Sequence, residues 1–311
     1  MAYKLSDINS AARTSPGDFI EACDVTFHNR IVEAADRICR NMETSPIVLL
    51  SGPSGSGKTT TAKKVEEELR SRGVNSYTVS MDDYLKTIDP RTAPRTPEGE
   101  LDFESPECLD MELLNEHFSM LSCGKEIHIP TFMFSRQKRS ASRFTPMQLR
   151  ENEIAIFEGI HALNDSITNT HPEAFKLYIS AASDVENDGE VLFTGMWMRL
   201  VRRAVRDSKF RGADAAFTLS MWENVLDGEV KHIAPFMNKA SLILDSSLPY
   251  EVSVMKVFAE PLFAKVPEDT PRYEELTQIC SAFEHFEPLS AELVPPNSLI
   301  REFIGGGIYE Y

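Results

Sequence analysis

The sequence is poor in cysteine, and what it has is unpaired in pattern: Cys23, Cys39, Cys108, Cys123 and Cys280 include no CxxC pair and leave an odd count. That spacing argues against a disulfide framework and against a zinc site. Reduced thiols in a cytoplasmic protein are the simplest expectation. No apolar run approaches the roughly 20 residues that span a bilayer. The opening "MAYKLSDINSAARTSPGDF" has no continuous apolar core of the kind a secretory signal carries. Neither membrane insertion nor export is expected. Positive charge is also scarce, with 32 Lys and Arg against 48 Asp and Glu and a formal net charge of −16. A nucleic-acid partner calls for a basic surface, so DNA and RNA are not expected as main partners. A nucleotide ligand needs only a local positive site. There is no internal repeat or low-complexity block. What remains, 311 residues of which 42% are hydrophobic and 26% charged, suits one large α/β domain, alone or with appendages.

Hydrophobic periodicity supplies the elements. "FHNRIVEAADRICRN", with Ile31, Ala34, Ala35 and Ile38 at helical spacing, predicts a helix within 17–43 that stops before Pro46. Short apolar runs predict strands at "IVLL", "NSYTVSM", "EIAIFEGI", "FKLYIS" and "ASLILDSS". Helices are predicted from about Lys58 to Arg72 and over "PECLDMELLNEHFSMLSCG", "VLFTGMWMRLVRRAVRDSKF" and "AAFTLSMWENVLDGEVKHI". Strands alternating with helices imply a mainly parallel sheet covered on both faces, a three-layer α/β sandwich. "KEIHIPTFM" reads as an extended arm and "RQKRSASRF" as a basic loop. Residues 85–106, rich in Pro, Thr and acidic side chains, form a loop long enough to suggest a functional role.

The sharpest local signal is Gly52-Pro53-Ser54-Gly55-Ser56-Gly57-Lys58-Thr59, which fits GxxxxGK[ST] at every fixed position. Chance alone gives those four positions in about 1% of chains this long. The motif also stands where its mechanism needs it, after an apolar strand and at a helix start. Backbone N–H groups from Gly52, Ser54, Gly55, Ser56 and Gly57 would turn around a phosphate, and the helix N-terminus adds partial positive charge. Lys58 would reach the β- and γ-phosphates, and the Thr59 hydroxyl would ligate Mg²⁺, with Thr60 next to it in the nucleotide site. This predicts a P-loop NTPase-type fold binding ATP and Mg²⁺.

Other segments bear on which kind of P-loop protein it is. A GTPase would carry an NKxD base-reading motif, and Asn238-Lys239-Ala240-Ser241 lacks the aspartate. A motor ATPase would show an apolar strand ending in Asp, whereas "IAIFEG" ends in Glu158, which suits a small-molecule kinase better. Asp82 and Asp83 end the strand one helix beyond the cradle, where the ligand crevice of a parallel sheet opens. Either could take a proton from an attacking hydroxyl, and either could simply cap a turn; the cradle upstream favours catalysis for at least one. Residues 199–211 hold six cations, Arg199, Arg202, Arg203, Arg206, Lys209 and Arg211. They suit a phosphate-clamping lid, with some of them expected to be structural.

In order along the chain, "GPSGSGKTT", "VSMDDYL", "LDFESPECLD", "IAIFEGIHAL" and "RRAVRDSKFRGAD" resemble the uridine kinase and phosphoribulokinase family of P-loop kinases. The resemblance covers roughly residues 45 to 250. It implies a kinase domain over 45–265 with a helical lid, preceded by an N-terminal helical segment, 1–44. A C-terminal tail, 266–311, would pack on it, with one helix at "RYEELTQICSAFEHF" and no assigned role. It implies Asp82 as catalytic base, Glu158 as the metal-organising acid, Arg203 and Arg206 as lid arginines on the phosphates and Arg211 as the Arg of an RGxD turn. Tyr84 takes the aromatic position after the base. Phe103 and Glu104 match a Phe-Asp pair that holds sugar hydroxyls. The chain departs from uridine kinases at the YDFxxHxR-like segment that contacts the pyrimidine, where "TFMFSRQKR" puts Thr131, Phe132 and Arg136 at the Tyr, Asp and His positions. A base-reading Gln near Met221 is missing, and Ala213 replaces the turn's second Arg. Arg136 is accordingly expected either to meet a more anionic substrate or to belong to a plain basic loop.

The expectation is an ATP- and Mg²⁺-dependent kinase acting on a hydroxyl of a uridine- or cytidine-like nucleoside. A kinase for a sugar, a sugar phosphate or another small alcohol stays open, as does a nucleotide-binding regulator with little turnover. Family members often oligomerise, so a homo-oligomer stays open too, although no interface signature stands out.

Overall fold

The computed structural model describes residues 2–96 and 99–310; Met1, Tyr311 and, within the predicted 85–106 loop, Pro97 and Glu98 lie outside the described residues. The strands are β1 (Tyr3–Lys4), β2 (Ile47–Ser51), β3 (Asn75–Ser80), β4 (Ile127–Met133), β5 (Lys138–Met147), β6 (Glu153–Glu158), β7 (Phe175–Ser180), β8 (Val185–Asn187), β9 (Glu190–Phe193) and β10 (Leu242–Asp245). The α-helices are α1 (Leu5–Thr14), α2 (Pro16–Asn41), α3 (Lys58–Ser71), α4 (Met111–Ser122), α5 (Asp165–Thr168), α6 (Gly195–Arg206), α7 (Ala215–Ser220), α8 (Trp222–His232), α9 (Glu251–Phe263), α10 (Tyr273–Phe283) and α11 (Arg301–Ile304).

Five strands form the central sheet in the order β10-β7-β2-β6-β3, and every neighbouring pair is parallel. Side chains alternate across a strand, so each strand feeds two cores. Val48 and Leu50 of β2, with Ile154 and Ile156 of β6, join the core built with α2, α3, α6 and α9. Ile47 and Leu49, with Ala155 and Phe157, join the core built with α4. Burial on both faces explains why these strands read as unbroken apolar runs, and the expected three-layer α/β sandwich is what forms.

Some local expectations fail. "RQKRSASRF" is a turn only at Arg136 and Gln137: from Lys138 on it lies in β5, paired antiparallel with β4 through Phe132↔Arg139 and Met133↔Lys138. Most of β5 is exposed, so it carries no apolar alternation to read. The helix predicted from Val191 starts only at Gly195, where the Thr194 side chain accepts from Trp197 N (3.1 Å). The residues before it form β9, which pairs with β8. "AAFTLSMWENVLDGEVKHI" breaks at Met221 into α7 and α8.

The C-terminal residues are built into the main core. Leu299, Ile300 and Phe303 are each fully buried there. Among the described residues no helix is long and apolar enough to cross a membrane.

Candidate active site

β2 runs into the glycine-rich turn and α3 leaves it. Gly57 is the N-cap of α3 at φ +80°, a conformation that side-chain-bearing residues rarely adopt. Gly55, at φ +76°, passes so close to α6 that a Cβ would sit 2.8 Å from the Arg199 carbonyl oxygen. Three struts hold the turn's carbonyls. Arg199 Nε donates to Ser54 O (3.0 Å), Arg202 Nη1 to Gly55 O (3.1 Å) and Ser246 Oγ to Ser56 O (2.5 Å). Both arginines are themselves neutralised, Arg199 by Glu229 (2.5 and 3.0 Å) and the wholly buried Arg202 by Glu251 (2.8 Å). Two of the six cations in the arginine-rich segment are thus braces rather than ligand-facing groups.

The turn forms one wall of a cavity of about 420 Å³. A larger hollow of about 690 Å³ lies between residues 86–94 and 106–112, but no cradle or lid arginine reaches it. Lys58 and Thr59 face the smaller cavity together with Asp82, Glu104 and Glu158. Lys58 Nζ donates to Pro53 O (3.1 Å). Burial holds its pKa below the usual lysine range, against the opposing pull of Glu158, Glu302 and Asp82. Arg203, Arg206 and Arg211 form the lid side. They gather on Asp207, which is 3.4 Å from Arg203 Nε, 2.8 Å from Arg206 Nη2 and 3.6 Å from Arg211 Nε. This carboxylate offsets their mutual repulsion. Arg203 Nη1 also donates to Ser54 Oγ (2.9 Å), tying lid to cradle.

The structure separates the paired aspartates. Asp83 Oδ1 accepts from Phe132 N (3.2 Å) and so anchors β4. The Asp82 backbone N–H donates to Ser80 Oγ, while its carboxylate opens on the cavity mouth with no protein donor among the described residues. Asp82 is open to solvent there and enclosed on its other sides. That enclosure raises its pKa, with Lys58 and Arg211 pulling it back down. Glu158, at the end of β6, is pushed up to about 7, chiefly by burial, with Lys58 opposing and Asp82 and Glu302 reinforcing. Burial also raises Glu104, against Arg203 and Lys58.

Two predicted substrate contacts do not face the cavity. Tyr84 is fully buried and its hydroxyl meets His117 Nδ1 (2.8 Å) beneath the sheet, because the short helical turn Met81–Tyr84 rotates it into the α4-side core. Arg136 points to solvent: the turn over Phe134–Arg136 and the left-handed Gln137 (φ +48°) put Phe132, Phe134 and Gln137 on the wall instead. Phe103 lines the cavity as expected. Gly52, Ser56 and Thr60 belong to the cradle but stand behind its wall.

Sequence reasoning missed several residues. Asp207 stood inside the quoted lid motif, and the convergence of arginines was the signal for it. His161 stood inside "IAIFEGIHAL". It lines the cavity, is 3% exposed, and has neither ring nitrogen in a hydrogen bond. Burial, with His232 adding to it, lowers its pKa to about 4, so the ring is neutral near pH 7. Glu302, from the C-terminal tail, carried no local signal at all.

Among the described residues no group of three or more His, Cys, Asp or Glu could hold a metal. A hard cation that draws most of its ligands from nucleotide phosphates and water needs only one or two protein groups. The Thr59 hydroxyl and the Glu158 carboxyl, on one cavity, fit that requirement.

The profile of the Phosphoribulokinase / Uridine kinase family matches residues 47–253. A uridine kinase of Saccharomyces cerevisiae is 27% identical over 205 residues, 65% of this chain and 37% of that one, so the chain spans less than two fifths of the yeast protein's length. A uridine kinase of Macrococcus caseolyticus is 27% identical over 198 residues, 64% of this chain and 82% of that one. Among solved structures, a candidate fructose transport system kinase from Silicibacter sp. TM1040 shares the fold, with a TM-score of 0.50 at 17% identity over 65% of this chain and 95% of that one. With about two thirds of its length matched by that profile, the chain belongs to the phosphoribulokinase / uridine kinase family, whose members are kinases.

Proposed function

We propose that this protein transfers the γ-phosphoryl group of ATP to a hydroxyl of a nucleoside, with Asp82 as the general base. The observation that carries this is the contrast between the paired aspartates: Asp83 is committed to Phe132 N, while Asp82 opens on the cavity beside Lys58 with a raised pKa. A base tuned upward removes a proton from an alcohol more effectively near neutral pH than an ordinary carboxylate does. Lys58 and the braced cradle hold the β- and γ-phosphates. Arg203, Arg206 and Arg211 supply positive charge where negative charge develops between donor and acceptor. Mg²⁺, held by Thr59 and Glu158, would neutralise phosphate charge.

The acceptor wall favours a nucleoside. Phe103, Phe132 and Phe134 offer aromatic faces, the Gln137 amide and the neutral His161 ring offer donors and acceptors, and Glu104 accepts from sugar hydroxyls. Planar bases stack on aromatic rings. No cation outside the lid and cradle lines the cavity among the described residues, which speaks against a phosphorylated sugar. The uridine kinase relatives point the same way. The test is ADP release from ATP with a panel of nucleosides, sugars and polyols. Uridine or cytidine should drive release. Should both stay inert while a sugar turns over, the nucleoside assignment falls and phosphoryl transfer stands.

A further inference from the structure

Glu302 reaches the cradle from the far end of the chain, 242 residues away in sequence. One carboxylate oxygen, Oε2, accepts from the Thr60 backbone N–H (3.1 Å) and from the Thr60 hydroxyl (2.6 Å). Thr60 is the third residue of α3 after its glycine N-cap. Backbone amides at this first turn are the ones a P-loop directs at nucleotide phosphate. Glu302 also lines the cavity and acts electrostatically on Lys58 and Arg211, the cations that would meet phosphate. A carboxylate resembles a phosphate in its charge and its paired oxygens, so Glu302 stands where an anionic ligand is to be received.

The surrounding contacts hold it there. Leu299, fully buried, packs against Gly57, whose added Cβ would sit 3.0 Å from Leu299 Cδ1. The Phe303 ring lies 5.2 Å from the Arg202 guanidinium carbon, and the Lys209 ammonium donates to Ile304 O. Two glycines at positive φ, Gly305 (φ +76°) and Gly306 (φ +71°), follow α11 directly. Glu302 is only 6% exposed, and Asp82 and Glu158 share its cavity. Polyphosphate added with Glu302 in place would crowd like charges in a poorly solvated space.

We propose that the C-terminal segment is an autoinhibitory strap, in which Glu302 occupies a phosphate-binding position of the cradle and is displaced when nucleotide binds. The proposal rests on the reading of the cradle as a nucleotide site and adds a regulation to it. The strap couples the tail to the cradle, so anything that draws residues 298–307 away opens the site. In the reverse direction, nucleotide loosens the tail.

The test titrates ADP into the 311-residue chain, its Glu302→Gln variant and its Glu302→Ala variant by calorimetry at one fixed salt concentration. Both variants should bind ADP about tenfold more tightly, the scale of one charged competitor removed. Equal or weaker affinity in the variants overturns the proposal, as does a failure of all three proteins to bind ADP. Should neither variant fold, hydrogen exchange on the unmutated chain decides. The Ile304 and Gly305 amides, bonded to Ile300 O and Arg301 O, should exchange faster with ADP present, and unchanged or slower exchange contradicts the strap. A protein that binds ADP but phosphorylates no alcohol would defeat the kinase reading and leave these outcomes intact.

Discussion

The two sides of the cavity are built in different ways. The side proposed to take phosphate is one contiguous stretch, 52–60, stiffened by struts from remote elements: Arg199 and Arg202 of α6, and Ser246 after β10. The side proposed to take the acceptor is assembled from separate segments, with Phe103 from a loop, Phe132 from β4, Phe134 and Gln137 from the turn after it, and His161 from beyond β6. Recognition of phosphate needs backbone amides and a helix end, which a short motif can encode. Recognition of an acceptor needs side chains converging from several places, which only tertiary structure supplies. Asp82 stands at the seam between the two.

The largest expected effect is at that seam. Asp82→Asn should lower phosphoryl transfer by a factor on the order of 10²–10⁴. ADP affinity should change little, because Asp82 makes no strut to the cradle. Kinetics and ADP titration together check this, and unchanged transfer would remove Asp82 from the mechanism. On the phosphate side, Arg202→Met breaks a fully buried ion pair and leaves the Glu251 charge without its cation, with Leu248 N still donating to it. The loss should be about 3–5 kcal/mol of stability by urea unfolding, with weaker ADP binding as Gly55 O loses its strut. A loss under about 1 kcal/mol, within the range of an ordinary surface pair, would show that the cradle does not depend on this brace.

These contrasts also mark what the sequence could reveal. The sheet, the cradle, Asp82, Glu158 and the lid arginines were legible because each lies in a local pattern. Some of the lid cations were expected to be structural, but Arg199 and Arg202 could not be singled out as those, because their partners, Glu229 and Glu251, lie 30 and 49 residues away. Tyr84 looked like a substrate contact because an aromatic after a base suits a pocket, and only the turn's rotation and His117 reveal it as core. Arg136 fell one residue from the wall because a single left-handed residue, Gln137, redirects the chain. Glu302 could not be read at all, since nothing in its neighbourhood announces the cradle.

Smaller effects sharpen the acceptor side. Phe134, 63% exposed yet on the cavity wall, should be felt by the acceptor alone. Phe134→Ala should raise the acceptor KM by about tenfold, the value of one lost stacking contact, with the ATP KM unchanged. A shift in the ATP KM instead would move Phe134 to the donor side. Glu158 gives a pH-dependent effect. Its folded-state pKa is raised from 4.5 to about 7. The stability it contributes is therefore full below pH 4.5 and is lost as pH rises to about 7. Glu158→Gln should abolish that loss, so the urea midpoints of wild type and variant should diverge between pH 4.5 and about 7 in the variant's favour. Parallel pH curves would place the carboxyl in a better-solvated setting. The smallest effect belongs to Arg136, exposed and off the wall: Arg136→Ala should leave every kinetic constant within about twofold, as surface substitutions usually do. A larger fall would bring it back to the acceptor site.

In the proposed reaction the phosphoryl group passes to an alcohol rather than to water. Phosphorus NMR of the wild-type protein with ATP, Mg²⁺ and uridine tests it most directly. Transfer to uridine should give a growing phosphomonoester signal, matched by ADP and with little inorganic phosphate. Inorganic phosphate as the sole new signal, at a rate indifferent to uridine and to every other alcohol in the panel, would contradict it.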